Sequence, residues 1–312
     1  MFITVINSLT PVFLMMAMGW LLRYKNFLSP TALQGMARLT YWIGVPSFLF
    51  NKIAATDPAL GRAADILLAL VGATLLGSVL AYGLARGLRI PRTGIGTFLQ
   101  AVFRGNLAFV GLPVIIYAFT GLAQGDAVVQ AALVIFGPMV VLYNISAVLV
   151  LLVSRAKINA QAFGKLSIEL LTNPLLLACL AGGLYALQGW PVPLALERSL
   201  NAVGQSALPL ALICMGGTLV TVRLRGNLLW IVCAALGKVL MMPLLGLLMA
   251  TLLQLSAEGT RVVLILLACP TAAVSFVVVR QLGGDEALAS GSILLSTLLS
   301  AVSLAAILAL TQ

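Results

Sequence analysis

Ten long apolar stretches, separated by short polar connections, account for nearly the whole chain. Each is close to the roughly 20 residues that an α-helix needs to cross the hydrocarbon core of a bilayer. Because lipid offers the backbone no hydrogen bonds, such stretches predict an all-α membrane protein with ten transmembrane helices. The predicted spans are 3–22, 31–53, 65–85, 95–119, 127–153, 168–188, 199–221, 227–254, 261–280 and 287–310.

Charge supports a membrane location and sets an expected orientation. Only 8% of the 312 residues are charged, and the net charge is +10. The basic residues cluster in the connections after spans one, three, five and seven, so the positive-inside rule explains them better than nucleic-acid binding does. We therefore expect a multi-pass membrane protein with both termini outside. The clusters comprise Arg23, Lys25, Arg86, Arg89, Arg92, Arg155, Lys157, Lys165, Arg223 and Arg225.

Several enzyme classes are excluded by residues that the chain lacks. It has no histidine, and its four cysteines lie inside apolar stretches without C-x-x-C spacing. Imidazole metal sites and histidine-dependent catalysis are therefore not available. Neither a pair of intramembrane aspartates nor a serine–histidine pair is present, so an intramembrane protease is not expected, and no cofactor is predicted.

The two halves of the chain resemble each other in the placement of proline and glycine. Three pairs are each 163 positions apart: Pro11 and Pro174, Gly19 and Gly182, Pro46 and Pro209. Since each half holds five spans, an odd number, a repeat would have to be inverted in the membrane. We predict a first repeat over 1–153, a cytoplasmic connection over 154–167 and a second repeat over 168–312.

Spans four and nine each contain a proline, Pro113 and Pro270, in corresponding places. A proline inside a helix removes a backbone donor, and the loosened groups are tolerated at membrane depth only where protein encloses them. Paired broken helices in corresponding halves indicate the substrate site of a secondary transporter. We expect Gly111 and Pro113 to mark the first break and Pro270 the second, with half-helix N-termini that favour an anion.

Polar side chains near these prolines are candidate ligands. Asn106 precedes Pro113 by seven residues, and its amide would bond either a ligand or the backbone of the broken helix. Thr271 and Ser275 could bond a ligand, although such hydroxyls more often bond their own helix. Asn144 interrupts span five, where bonding to a neighbouring helix is the default.

Buried charge is the second functional signal. No clear acidic residue lies deep within any span, whereas Lys238 lies within span eight and Arg104 near the start of span four. Each cation costs roughly 2.5–3.5 kcal/mol at mid-membrane on insertion scales, so it needs a purpose. Either could balance a substrate carboxylate, and snorkelling toward the interface is the alternative.

Two stretches carry a family resemblance. The string Asn106-x-x-x-x-Gly111-x-Pro113 resembles the fourth-span signature of the auxin efflux carrier family, which includes the plant PIN carriers and bacterial relatives. The sequence Gly-Asp-Glu-Ala-Leu-Ala-Ser at 284–290, followed by Ser and Thr at 296–297, resembles the junction of spans nine and ten in that family.

Two proline pairs extend the resemblance along the whole chain. Val45-Pro46 in span two is similar to a Val-Pro that lines the site of the PIN carriers, and Asn173-Pro174 resembles an Asn-Pro in span six. The chain lacks the long central hydrophilic loop of the long plant carriers. It looks like a bacterial member, for which malonate and other small carboxylates are the usual suggested substrates.

The resemblance implies a fold of two inverted five-span repeats, like that of bile-acid symporters and antiporters. Spans one, two, six and seven would form a scaffold, often a homodimer, and spans three to five and eight to ten a mobile transport unit. Broken spans four and nine would cross in that unit, and elevator-like alternating access would move an organic anion. Asn106, Val45 and the two crossover prolines would line the site.

The expected function is therefore transport of a small organic anion, a carboxylate such as malonate or an auxin-like acid. The absence of a buried carboxylate favours transport driven by the substrate gradient or the membrane potential. The alternative is a sodium- or proton-coupled carrier of the bile-acid or antiporter type, which a sodium dependence would reveal. A passive pore would instead give flux that does not saturate.

Overall fold

The computed structural model describes residues 2–55, 60–119, 125–155, 168, 171–220 and 224–311, which form helices and no named strand. The helices are α1 (Phe2–Tyr24), α2 (Pro30–Leu39), α3 (Val45–Ala54), α4 (Leu60–Gly87), α5 (Arg92–Phe103), α6 (Leu112–Phe119), α7 (Gly125–Arg155), α8 (Pro174–Gln188), α9 (Leu194–Leu219), α10 (Leu228–Leu236), α11 (Met242–Leu252), α12 (Ala257–Ala268), α13 (Val274–Leu282) and α14 (Glu286–Leu310).

Each predicted span is helical along most of its described residues, so the all-α membrane class is confirmed. Among the described residues, six helices are long and apolar enough to cross a membrane. The other four predicted spans are interrupted, short or interspersed with charge, and the inverted repeat stays a prediction. The six are Val5–Tyr24, Ala63–Gly87, Gly125–Ser154, Leu194–Leu219, Leu228–Leu252 and Glu286–Leu310.

Three five-residue π segments widen the helices, and each ends two residues before a proline. Because proline has no N–H for the carbonyl four residues earlier, the regular helical ladder cannot continue there. Instead, the residue that follows each segment, directly before the proline, donates its N–H to the carbonyl five residues earlier. Such π turns are frequent at functional sites. The segments are Thr40–Gly44 before Pro46, Leu107–Gly111 before Pro113 and Gly237–Met241 before Pro243.

Helices α1 and α9 pack with their backbones almost touching. A methyl group added at Gly216 would lie 1.8 Å from the Met16 carbonyl oxygen, and one added at Gly19 would lie 2.0 Å from the Ile213 carbonyl oxygen. Only glycine fits at such distances, and small residues are the usual means of close helix packing in membranes. Helix α3 contacts both α8 and α9, so predicted spans one, two, six and seven form one connected set.

The remaining helices form a second connected set. Helix α4 contacts α5, α7 and α11, while α14 contacts α10 and α12. The two sets meet where α1 contacts α6 and α14, where α7 contacts α3 and α8, and where α9 contacts the π segment Leu107–Gly111. Large side chains such as Phe98, Phe103 and Phe119 are fully buried, so the interior of this second set is closely filled.

Some predictions fall on residues that the structure does not describe. The connection predicted at 154–167 lies outside the described residues after position 155, and so do Lys157, Lys165 and Arg223. The division into repeats and the orientation in the membrane therefore stay predictions.

Candidate functional site

Span four is interrupted at Arg104–Asn106 rather than at Gly111 and Pro113. Helix α5 ends at Phe103, and Arg104 adopts extended backbone angles (φ −81°, ψ 95°). The helix then runs without interruption from Leu107 to Phe119. The predicted position of the break is wrong because the π segment lets Leu112 donate to the Leu107 carbonyl and so absorbs the proline.

Span nine is interrupted between Ala268, where α12 ends, and Val274, where α13 begins. Pro270 lies in this connection, and the preceding residue, Cys269, is extended (φ −54°, ψ 144°). This is the conformation that a following proline favours, because the α conformation would clash with the proline ring. The second half-helix begins at Val274, four residues after the proline.

The two interruptions lie against each other and are joined by backbone hydrogen bonds. The Asn106 N–H donates to the Pro270 carbonyl at 2.8 Å, and the Ala272 N–H donates to the Arg104 carbonyl at 3.0 Å. Buried backbone groups need partners, and each break supplies those that the other has lost. We call this contact, Arg104–Asn106 with Pro270–Ala272, the crossover bridge.

Thr271 forms the central pair of the crossover bridge with Gly105. Its hydroxyl donates to the Ala101 carbonyl at 2.6 Å, and its N–H donates to Ser296 Oγ at 3.0 Å. The Ala101 carbonyl belongs to the last turn of α5, whose carbonyls lack helical donors. Thr271 therefore caps α5 from another span and does not bond its own helix, while its contact with a ligand stays a prediction.

Asn106 holds the start of the second π segment. Its Oδ1 accepts from the Phe109 N–H at 3.3 Å, which is the capping role that the sequence left open. Its Nδ2 donates to the Met215 Sδ of α9 at 3.7 Å. A thioether is a weak acceptor, so this buried amide keeps donor capacity directed at α9.

Gly111 allows the end of α12 to approach the second π segment. A methyl group added there would lie 3.0 Å from Cys269 Sγ and 3.1 Å from Leu266 Cδ2. Both distances are tighter than ordinary van der Waals contact, so a side chain at this position would push the two breaks apart. The structure thus gives Gly111 a packing role.

Lys238 is fully buried in the third π segment. Its Nζ has no hydrogen-bond partner among the described residues. A methyl group added at Gly105 would lie 3.1 Å from this Nζ, so the ammonium group lies against the crossover bridge. The side chain does not reach the surface, which rules out the snorkelling alternative.

The backbone around Lys238 is held from span ten. Pro243 has no N–H to donate to the Val239 carbonyl four residues earlier. The Ser303 hydroxyl of α14 donates to this carbonyl at 2.6 Å instead. The π segment that carries Lys238 is therefore tied to a neighbouring helix.

Asn106 and Lys238 lie on opposite sides of the crossover bridge. The side-chain direction of Gly105 points at Lys238 Nζ, whereas the side chain of the next residue, Asn106, reaches Met215. Successive residues of an extended segment point to opposite faces, which explains the arrangement. A ligand bound by the Asn106 amide would therefore interact with the Lys238 charge electrostatically across the bridge, without direct contact.

Arg104 is the second buried cation, with 3% of its surface exposed. Its Nη2 donates to Asn144 Oδ1 of α7 at 2.5 Å. Asn144 therefore forms the interhelical bond that is the default for an amide within a membrane span. The pair connects the first break to span five.

None of the carboxylates that the structure describes is buried. Asp285 is half-buried and caps α14 by accepting from the Leu288 N–H at 2.9 Å. Because charges interact strongly where the dielectric constant is low, two cations near the bridge make its surroundings favourable for an anion. The described carboxylates are Asp65, Asp126, Glu197, Glu258, Asp285 and Glu286.

Ser275 and Gln100 form a second polar contact beside the bridge. Gln100 Nε2 donates to the Ser275 carbonyl at 3.3 Å. Gln100 Oε1 and Ser275 Oγ are buried and have no hydrogen-bond partner among the described residues. Sequence reasoning named Ser275 and missed Gln100, whose only signal was a polar amide within an apolar stretch.

Val45 and Asn173 belong to the set of helices that contains spans two and six. Val45 is fully buried and follows the first π segment. Asn173 caps α8 by accepting from the N–H groups of Leu175 and Leu176 at 3.0 and 3.1 Å. Its Nδ2 donates to the Tyr41 hydroxyl at 3.4 Å, so the polar atoms of Asn173 hold helices together.

A model of the family described as membrane transport protein matches residues 4–160 and 158–308. The chain belongs to this family. It is the auxin efflux carrier family that the sequence motifs resemble. A protein of Rhizobium meliloti (strain 1021) named "Putative malonate transporter" is 27% identical over 311 residues, which cover 95% of this chain and 88% of that protein. The chain is therefore a membrane transporter and not an enzyme.

The structure also places beside Asn106, in the candidate site, a residue that sequence reasoning did not single out. Met215 is 2% exposed and contacts the Asn106 amide from α9. A methionine within an apolar span carries no signal of its own, so only the contact across 109 positions of sequence identifies it.

Proposed function

We propose that this transporter carries a small organic anion, a carboxylate such as malonate or an auxin-like acid, across the bacterial cytoplasmic membrane. The observation that carries the proposal is the pair of buried cations, Arg104 and Lys238, in a described interior that holds no buried carboxylate. Lys238 Nζ has no hydrogen-bond partner among the described residues; a buried charge in that state is costly, and a bound anion would relieve the cost. Both termini would lie outside, in the periplasm.

Asn106 is the proposed direct ligand. Since its Oδ1 is used by the Phe109 N–H, the amide offers its Nδ2 donor to a substrate. A donor selects a carboxylate oxygen over a cation, and hydrogen bonds to charged groups are the stronger ones. The N-terminus of the helical run that starts at Leu107 adds a partial positive charge next to the same amide.

Lys238 and Arg104 would act through their charge. Lys238 lies behind the crossover bridge, and Arg104 is bonded to Asn144. Neither needs to touch the substrate, because Coulomb interactions in a low-dielectric interior extend over several ångströms. The predicted contacts of Val45, Pro113 and Pro270 with substrate remain part of this proposal.

The proposed mechanism is elevator-like alternating access. The set made by α1, α2, α3, α8 and α9 would be the scaffold, with a homodimer formed through it, and the set around the crossover bridge would move. The pairing of span one with seven and of span two with six supports an inverted repeat, because such a repeat exchanges these pairs. The contacts between the sets are where sliding would occur.

A cation-coupled carrier of the bile-acid or antiporter type is the second candidate. Gln100 Oε1 and Ser275 Oγ favour it, since both oxygens are buried beside the bridge without a hydrogen-bond partner among the described residues. Oxygen ligands suit hard cations such as sodium. Uptake that requires a sodium gradient and is lost in Gln100→Ala would favour this candidate over an uncoupled carrier.

The test is counterflow of labelled malonate in proteoliposomes, with Asn106→Ala and the control Asn201→Ala at equal reconstitution. Asn201 is exposed on α9, so the same substitution there leaves the crossover bridge untouched. We expect saturable uptake by the unaltered chain and by the control and a loss in Asn106→Ala. Equal uptake by all three would reject the role of Asn106. Uptake by none of them, repeated with longer and aromatic acids, would reject the anion carrier.

A further inference from the structure

Met215 covers Asn106 Nδ2, the donor that we propose binds the substrate directly. Its Sδ lies 3.7 Å from Asn106 Nδ2, while the other end of the same amide is held at 3.3 Å by the Phe109 N–H. Both side chains are almost completely buried, at 2% and 5% exposed. A substrate that is to reach the Asn106 amide must therefore take the place of the thioether.

The contact is suited to being exchanged. Sulfur of a thioether accepts hydrogen bonds weakly, whereas an ionised carboxylate oxygen accepts them strongly. Asn106 Nδ2 therefore gains a stronger acceptor when a substrate carboxylate oxygen takes the place of the Met215 sulfur. Methionine also has three rotatable bonds and fits irregular spaces, so its side chain can move aside without a change in the backbone.

The backbone that carries Met215 cannot move aside in the same way. The next residue, Gly216, contacts α1 so closely that an added methyl group would lie 1.8 Å from the Met16 carbonyl oxygen. On the other side of Met215, Cys214 is buried and its thiol contacts the Leu33 carbonyl at 3.8 Å. The displaced side chain therefore stays beside the substrate and limits the room around it.

We propose that Met215 is the specificity-determining residue of this transporter, which covers Asn106 when no substrate is bound and limits the length of the acid that binds there. The inference rests on the proposed transport of a small organic anion. Met215 on α9 would thus act as a gate residue opposite the crossover bridge, and the transporter would select dicarboxylates by their length. Asn106 supplies the attraction, and Met215 supplies the size limit.

The experiment measures how malonate, succinate and glutarate compete with labelled malonate for uptake into proteoliposomes. The variants are Met215→Ala, which removes the side chain, and Met215→Leu, which keeps its bulk without sulfur. Met249→Ala is the matched control, because Met249 packs against Gly72 at the contact of α11 with α4. Equal amounts of protein and monodisperse elution establish that each variant is folded.

We expect Met215→Ala to gain affinity for the longer acids relative to malonate, by about tenfold for each added methylene, as for other apolar pockets. Met215→Leu and Met249→Ala should keep the original order of the three acids. If Met215→Ala does not fold, Met215→Phe provides the test. Its larger side chain should weaken the binding of glutarate and succinate more than that of malonate.

The outcomes separate the two proposals. Saturable malonate uptake by the unaltered chain with the same length order in Met215→Ala, or in Met215→Phe where that variant decides, would overturn the role of Met215 and leave the anion carrier standing. No uptake of any of the three acids by the unaltered chain would overturn the proposed function, and the inference about Met215 with it. A changed length order in Met249→Ala would also overturn the inference, because the effect would then not be specific to the gate.

Discussion

The two helix breaks meet in one bridge, yet they contribute different chemistry. The first break carries a cation and an amide, Arg104 and Asn106, and the Asn106 donor is directed at α9. The second break carries a threonine whose hydroxyl is bonded to the backbone of the first, at the Ala101 carbonyl. The first break therefore carries the proposed ligand group, and the second holds the first in place.

The starts of the two second half-helices show the same difference. The helical run after the first break begins with a side-chain cap, since Asn106 Oδ1 accepts from Phe109 N. Helix α13 after the second break begins at Val274, and its N-cap residue, Ala273, provides no side-chain cap. Corresponding breaks therefore need not have equal roles, and under the proposed function the Asn106 side chain gives ligand recognition to the first break.

The largest expected effect comes from replacing the amide donor of the first break by a negative charge. Asn106→Asp replaces the Nδ2 donor by a carboxylate that repels an anion, so malonate counterflow should fall at least as far as in Asn106→Ala. For the alanine variant, loss of a hydrogen bond to a charged group corresponds to about 1.5–3 kcal/mol, a roughly 10- to 150-fold loss of affinity. Asn201→Asp, the same charge change at an exposed site, should transport normally. A transporting Asn106→Asp protein would break the comparison.

The next effect separates charge from structure. Lys238→Met should weaken malonate uptake by about tenfold, since a buried cation that favours the anion is removed. The midpoint of thermal unfolding should not fall, because the lysine has no hydrogen-bond partner among the described residues to lose. Lys25→Met, at an exposed position, is the control. Reduced uptake together with a clearly lower unfolding temperature would instead assign Lys238 a structural role.

The second break should respond in the opposite way. Thr271→Val removes the hydrogen bond to the Ala101 carbonyl and leaves it unpaired, which should cost about 1–3 kcal/mol of stability. The apparent affinity for malonate should change little, because the threonine hydroxyl faces the backbone. Thermal unfolding in detergent and a concentration series of counterflow measure the two quantities. A strong loss of affinity with unchanged stability would show that the second break also contacts the substrate.

The smallest effect concerns the contact between the breaks. Gly111→Ala places a methyl group 3.0 Å from Cys269 Sγ, so stability should fall by roughly 1 kcal/mol through crowding. Adding Cys269→Ala to the Gly111→Ala variant should restore part of the lost stability, because the sulfur atom that the methyl group crowds is removed. Unfolding midpoints of the single and double variants provide the measurement, and additive losses would contradict the contact.

Sequence reasoning reached the neighbourhood of the site but not its geometry. Pro113 and Pro270 led to the correct two spans, yet the first break lies seven to nine residues before Pro113 because a π segment absorbs that proline. Asn144 was identified by its polarity within an apolar span, and Asn106 by its spacing from Pro113 and by the family motif. Neither the Arg104 partner of Asn144 nor the Met215 partner of Asn106 could be predicted, since the partners are 40 and 109 positions away.

The sequence by itself determined that this chain is a helical membrane protein with paired interrupted spans. Apolar length, proline position and the scarcity of charge are local properties, and lipid leaves few folds that satisfy such a chain. Only the tertiary structure decided that Asn106 Oδ1 accepts from the Phe109 N–H while its Nδ2 faces Met215, that the Thr271 hydroxyl caps α5, and that Lys238 lies against the bridge. Those assignments depend on hydrogen bonds and contacts between distant residues, which a local pattern does not contain.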